Sequence, residues 1–111
     1  MVEEVSFNDW QKLDLRVGKI SKVENHPNAD KLYLLEIDLG SEKRKLVAGL
    51  KQYYTSKELE GKLCIVFANL QPAVIRGIKS EGMILAAVNR DKSKVVIINP
   101  DKDMELGSKV E

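Results

Sequence analysis

The sequence predicts an all-β domain built as a five-stranded barrel, with a short helix between strands 3 and 4, an N-terminal helix and a C-terminal strand extension. Short apolar runs bounded by turn residues recur along the chain at the length of strands. The apolar phase of the first run shifts beside Gly18, which is typical of a strand that bends so that a small sheet can close. A helix-capping pattern stands between the third and fourth runs.

The elements follow in order along the chain. Residues 6–13 predict a short helix capped by Ser6, with Phe7, Trp10 and Leu13 on the face that packs against the domain. The first strand begins at residue 13, bends after Gly18 and ends before a loop at 25–30. The remaining predicted elements are strands at 32–39 and 44–50, a helix with a capping box at 55–61, and strands at 63–68, 83–89 and 95–98.

Five strands with a helix after the third are the order of an oligonucleotide/oligosaccharide-binding (OB) barrel. The 111 residues, 43% of them hydrophobic, suffice for a single domain over 1–111. We assign residues 6–94 to the barrel with its N-terminal helix and residues 95–111 to the extension. Four consecutive β-formers at 95–98 cannot all point inward, so we expect the N-terminal helix or a second copy of the chain to cover them. A homodimer with the extension at its interface is the favoured alternative.

Several classes of protein are disfavoured by composition. No apolar run reaches membrane-spanning length and the first residues lack the pattern of a signal peptide, so a soluble, cytoplasmic protein without membrane association is expected. Cys64 lies in an apolar run and is expected to be a core residue in a reducing compartment. With one cysteine and one histidine, His26, neither a nucleophile–base pair nor a multi-ligand metal site is expected. No phosphate-binding glycine loop occurs, so we predict neither enzyme activity nor a cofactor.

Charge is unevenly distributed along the chain. The formal net charge is only +1, but residues 16–94 hold 15 basic residues against 9 acidic ones, between two acidic ends. This distribution is compatible with nucleic-acid binding and equally with a solvated mixed-charge surface.

The connection at 69–82 carries the candidate binding residues. Arg76 and Lys79 can contact phosphates, Asn69 and Ser80 can bond a phosphate, a 2′-hydroxyl or a base edge, and Met83 offers an apolar surface to a base. Each has an ordinary alternative: Asn69 caps a turn, Ser80 bonds its own loop, Met83 is core, or Arg76 pairs with Glu81. Together they make RNA the leading hypothesis.

Four segments, at 14–20, 26–33, 47–50 and 79–87, resemble the tRNA-binding domain that occurs at the C-terminus of methionyl-tRNA synthetase and as a free-standing synthetase β-subunit. The resemblance implies a homodimeric OB barrel that binds the outer corner of L-shaped tRNA with little base specificity, does no chemistry and assists the synthetase, fused to it or as a separate chain. By position, the implied RNA-binding residues are Lys31, Asn69, Arg76, Lys79, Ser80 and Met83.

Two alternatives remain open on the same fold. One is a protein-interaction or chaperone-like module, since a bacterial export-chaperone family is similar in length and dimeric. The other is a structural subunit that only dimerises a synthetase. Gln71, Ala73 and Val74 stand where members of the tRNA-binding family often carry lysine or arginine, so weak binding by the isolated module is expected.

Overall fold

The structure is a computed structural model that describes residues 2–111. It contains two helical turns and ten strands, most of them short. In chain order these are α1 (Phe7–Trp10), β1 (Leu15–Asn25), β2 (Tyr33–Asp38), β3 (Lys43–Ala48), α2 (Ser56–Leu59), β4 (Leu63–Phe67), β5 (Ala73–Ile75), β6 (Ile78–Ser80), β7 (Met83–Ile84), β8 (Ala86–Val88), β9 (Val95–Ile97) and β10 (Lys109–Val110).

The main sheet is antiparallel, with strand order β3-β2-β1-β4-β7, and β10 pairs with the start of β1. Strand β1 serves both sides of the barrel: residues 15–19 pair with β4 and residues 19–25 pair with β2. Its register with β2 shifts between Ile20 and Lys22. A Cβ added at Gly18 would lie 2.6 Å from Cγ2 of Ile37, so only glycine lets β1 lie this close to β2. The irregularity predicted after Gly18 lies between Ile20 and Lys22. The OB-like barrel is confirmed.

Strands β3 and β7 form the two ends of this sheet, and β3 is bonded to the residues just before β7, which closes the barrel in part. The Val47 amide donates to the Ser80 hydroxyl at 3.0 Å, and the Glu81 amide donates to the carbonyl of Lys45 at 2.9 Å. The Glu81 carboxylate also accepts from the amide of Lys45 at 3.2 Å. A seam therefore remains beyond these contacts, between residues 47–50 and 83–88.

The barrel interior is a single apolar cluster with a smaller one beside it. Leu35, Leu46 and Val66 are among the fully buried side chains of the main cluster. Trp10, the last residue of α1, packs against the smaller cluster, which confirms that the N-terminal helix packs on the domain. Leu13, which was predicted in this helix, lies beyond its end and packs against the same cluster. Phe7 does not share this contact, because its side chain is 70% exposed, and its predicted place on the packing face was wrong.

Two features of the second half differ from the sequence expectation. The predicted connection at 69–82 contains a β-hairpin of β5 and β6. The predicted strand at 83–89 is interrupted at Leu85, whose amide bonds the carbonyl of Ile65 and whose carbonyl accepts from the amide of Ile98. These bonds turn the chain from the main sheet to the β8–β9 pair.

The C-terminal extension is largely part of the domain. Val95 and Ile97 pack into the main cluster, and β10 pairs with β1. The N-terminal helix does not cover the run at 95–98, since Val96 and Ile98 remain 52% and 41% exposed. Within residues 2–111, neither four-residue helix has the length or apolar character needed to cross a membrane.

Candidate nucleic-acid interface

The β5–β6 hairpin presents two of the predicted RNA-binding cations. Its two-residue turn is Arg76-Gly77, and both residues have positive φ, +53° and +89°. Such turns fit the twist of a hairpin but favour asparagine followed by glycine, because a side chain is strained at positive φ. Arg76 is exposed at the turn, and Lys79 is exposed on β6 opposite Val74.

The loop between β1 and β2 holds this hairpin in place. The His26 ring is only 4% exposed, and its Nδ1 accepts a hydrogen bond from the Asn28 amide at 2.9 Å. A backbone amide can only donate, so the ring proton lies on Nε2, which donates to the carbonyl of Ile75 at 3.1 Å. The side-chain amide of Asn28 reaches the carbonyl of Arg76 at 3.5 Å. The loop therefore fixes the hairpin tip beside itself, and it carries exposed Lys31.

Ser80 and Asn69 have internal partners. Ser80 is 4% exposed, and its hydroxyl donates to the carbonyl of Gly82 at 3.1 Å while accepting from Val47. The Asn69 side chain accepts from the amide of Asp14 at 2.8 Å and donates to the carbonyl of Lys12 at 2.7 Å. Ser80 thus bonds its own loop, which is the ordinary alternative to an RNA contact given for this residue above. Asn69 joins the end of β4 to the chain after α1.

Met83 and Arg76 do not follow their ordinary alternatives. The Met83 side chain is 45% exposed and is not a core residue. Among residues 2–111, Arg76 forms no ion pair with Glu81, whose carboxylate instead accepts from the amide of Lys45. The same part of the chain shows no ion pair for Lys31 or Lys79, so all three cations are available to an external anion.

The structure brings some of the predicted residues together and leaves one apart. The loop and hairpin contacts unite Lys31, Arg76 and Lys79 on one structural unit. Lys31 and Met83 also line the same groove at the seam. Asn69 belongs to a different depression, which it shares with Arg44.

Sequence reasoning assigned no role to His26 or Asn28. Both lie in the segment 26–33, in which the turn-forming residues Pro27, Asn28 and Asp30 indicated a loop. Their contacts with the hairpin join residues 48 and 49 positions apart in the chain. No local pattern indicates such a pairing.

Within residues 2–111 there is no group of three or more His, Cys, Asp or Glu side chains that could hold a metal ion. Burial raises the pKa of the Cys64 thiol to about 12, so the thiol is neutral near pH 7. Cys64 is fully buried, which confirms its predicted place in the core.

Comparison with known proteins identifies the family. A family model described as "Putative tRNA binding domain" matches residues 15–109. The chain belongs to this family. This tRNA-binding domain is a non-catalytic auxiliary module, and the resemblance inferred from its sequence motifs is confirmed.

The curated relatives are much longer proteins. The tRNA-binding domain is 55% identical over 109 residues to a methionine–tRNA ligase of Pyrococcus horikoshii, a match that covers 98% of this chain and 15% of that protein. A methionine–tRNA ligase of Nanoarchaeum equitans is 54% identical over 106 residues, with 96% of this chain and 13% of that protein covered. The domain thus spans about one seventh of the length of these ligases.

Solved structures of similar size share the fold. A MetRS-related protein from Pyrococcus horikoshii superposes with a TM-score of 0.92 at 32% identity, covering 99% of this chain and all of the other. The chaperone CsaA from Bacillus anthracis superposes with a TM-score of 0.87 at 28% identity over 98% of this chain and all of the other.

Proposed function

We propose that this domain binds tRNA through its folded L shape, chiefly at the outer corner and with little base specificity, and so raises the affinity of a methionyl-tRNA synthetase for tRNA. The observation that carries this proposal is the unit formed by the 26–32 loop and the β5–β6 hairpin. It holds Lys31, Arg76 and Lys79 exposed and free of ion pairs within residues 2–111, on backbone fixed by His26. Because the backbone is fixed, binding requires ordering of these three side chains but not of the chain that carries them.

The six candidate residues take two kinds of role in this proposal. Arg76, Lys79 and Lys31 contact phosphates, and Met83 contacts a base or sugar through its exposed thioether side chain. Ser80 and Asn69 act through the fold, because their polar atoms are engaged by the backbone of the domain. Three phosphate contacts imply weak binding with a shallow salt dependence. The slope of log K against log salt is on the order of 0.9 for each contact.

A second copy of the chain would strengthen this binding. Val96 and Ile98 expose apolar surface on β9 and just beyond it, and we propose that this surface forms a homodimer interface. A dimer offers two cationic surfaces, and attachment to a synthetase converts weak contacts into effective concentration near the charging site. Sedimentation equilibrium of Val96→Lys against the parent chain tests this interface, and an unchanged dimer in the variant would contradict it.

The test of tRNA recognition is fluorescence anisotropy with intact tRNA and with an acceptor minihelix that lacks the corner, at low and moderate salt. The double variant Arg76→Asn/Lys79→Gln removes two interface charges, and Lys57→Gln/Lys102→Gln is the matched control with the same loss of charge elsewhere. We expect intact tRNA to bind better than the minihelix, and only the first variant to lose most of this binding. Equal binding of both RNAs, or equal effects of both variants, would reduce the activity to a general cationic contact.

A chaperone-like module is the second candidate function. It is supported by the similarity to CsaA and by the exposed apolar side chains of the β8–β9 region. This candidate predicts that the domain suppresses aggregation of an unfolded protein and that Val96→Lys weakens the effect. Absence of tRNA binding together with such suppression would favour it over the tRNA proposal. A subunit that only dimerises would show neither activity.

A further inference from the structure

The seam of the barrel is a groove with an apolar wall. It lies between residues 47–50 of the β3 end and residues 83–88, and its volume is about 460 Å³. That volume falls within the roughly 300–1,000 Å³ of small-molecule sites in proteins. Apolar side chains supply most of its lining, and they include Leu32, Leu50, Ile84, Val88 and Val95.

The groove is lined by positive charge, although the net charge of the whole chain is only +1. Lys31 and Lys92 both line it, and the described residues that line it include no aspartate or glutamate. Tyr53 also lines the groove, and its hydroxyl donates to the carbonyl of Lys92 at 3.1 Å. Lys92 has a φ of +60°, which is a strained backbone conformation for lysine. The hydrogen bond from Tyr53 holds this backbone beside the aromatic ring.

We propose that this groove binds one unstacked nucleotide of RNA, with the base against the apolar wall near Tyr53 and Met83 and the phosphate between Lys31 and Lys92. A simple anion would need no apolar wall, and an apolar peptide would gain nothing from two lysines without acidic neighbours. A nucleotide matches both features, because it joins a flat aromatic ring to a phosphate. The proposal rests on the RNA-binding function above, and it adds a single-stranded segment to the shape-specific contact at the hairpin.

The first experiment is an NMR titration of the ¹⁵N-labelled chain with adenosine 5′-monophosphate, with inorganic phosphate and with the peptide acetyl-Leu-Phe-Leu-amide. We expect the nucleotide to shift the amides of Gly49, Ala86 and Lys92, and phosphate to shift only Lys92 and Lys31. Shifts of equal size from phosphate alone would reduce the site to an anion site and overturn the proposal. Binding of the peptide without binding of the nucleotide would overturn it in favour of a protein ligand.

Two variants test the groove with single-stranded hexaadenylate as the probe. A Cβ added at Gly49 meets only Cδ2 of Leu32, at 3.8 Å, so Gly49→Phe can fill the groove without a backbone clash. Lys92→Asn removes the cation and suits the positive φ. We expect Gly49→Phe to weaken hexaadenylate binding by about fivefold or more, the lower bound for losing one stacked base. We expect Lys92→Asn to weaken this binding and to make the slope of log K against log salt shallower by about 0.7, the value for one phosphate contact on a single strand. Unchanged affinity in Lys92→Asn and in a folded Gly49→Phe would overturn the proposal; if Gly49→Phe does not fold, Lys92→Asn alone decides.

The hairpin variant separates this proposal from the function on which it rests. Suppose that the parent chain binds intact tRNA but not hexaadenylate, and that Arg76→Asn/Lys79→Gln does not bind tRNA. The groove proposal then fails while tRNA binding stands. If the parent chain binds neither RNA, both proposals fail.

Discussion

Replacing Arg76 by asparagine should change stability and RNA binding in opposite directions. The backbone of Arg76 has a φ of +53° in a two-residue hairpin turn, and a left-handed conformation costs a non-glycine residue about 1 kcal/mol or more. Asparagine tolerates this conformation, and Asn-Gly is the favoured pair in such turns. The bonds from His26 and Asn28 reach backbone carbonyls, so Arg76→Asn retains them. We expect a gain in unfolding free energy of up to about 1 kcal/mol, or about 4 °C in Tm.

Under the proposed function, the same substitution also removes one phosphate contact. The slope of log K against log salt should therefore become shallower by about 0.9, so that between 50 and 200 mM salt the affinity of the variant falls about 3.5-fold less than that of the parent. Urea unfolding and anisotropy with intact tRNA measure the two effects. Lys92→Asn is the control for the gain in stability that comes from relieving backbone strain. Lys92 has a φ of +60° in the turn between β8 and β9, so its replacement by asparagine should give a similar gain. The reasoning is refuted if Arg76→Asn is less stable than the parent chain, or if its salt slope is unchanged.

Three further substitutions or conditions test the internal contacts. His26→Ala removes the buried ring that bonds the loop to the hairpin, and should lower unfolding free energy by about 1–3 kcal/mol and weaken tRNA binding; full tRNA affinity would contradict the role of the loop. Ser80→Ala leaves a backbone donor and a backbone acceptor without their partner, and should cost about 1–3 kcal/mol in urea unfolding, whereas an unchanged midpoint would show that the seam does not depend on it. Burial raises the pKa of the Cys64 thiol to about 12, above the roughly 8.5 of an unfolded thiol. The neutral buried thiol therefore contributes fully to stability below about pH 8.5, and this contribution declines as pH rises toward 12, because the unfolded thiol ionises first. Iodoacetamide at pH 8 should therefore modify Cys64 only as fast as the protein unfolds, and rapid modification of folded protein would contradict this.

Elements with a strong local signature were predicted well. Strand β2 shows strict alternation of buried and partly buried residues, and α2 has the capping box between Thr55 and Glu58 that the sequence indicated. The hairpin of β5 and β6 was missed because each strand has three residues and its turn, Arg76-Gly77, lacks the usual asparagine. The break at Leu85 was missed because its cause is a pair of bonds with Ile65 and Ile98.

By itself, the sequence determined the fold class, the family and the kinds of side chain at the candidate interface, because alternation, caps and motifs are properties of neighbouring residues. Only the tertiary structure decided that Ser80 is a buried contact across the seam and that His26 holds the hairpin. Their partners lie 33 and 49 positions away in the chain, and hydrogen bonds between such distant residues depend on how the barrel closes.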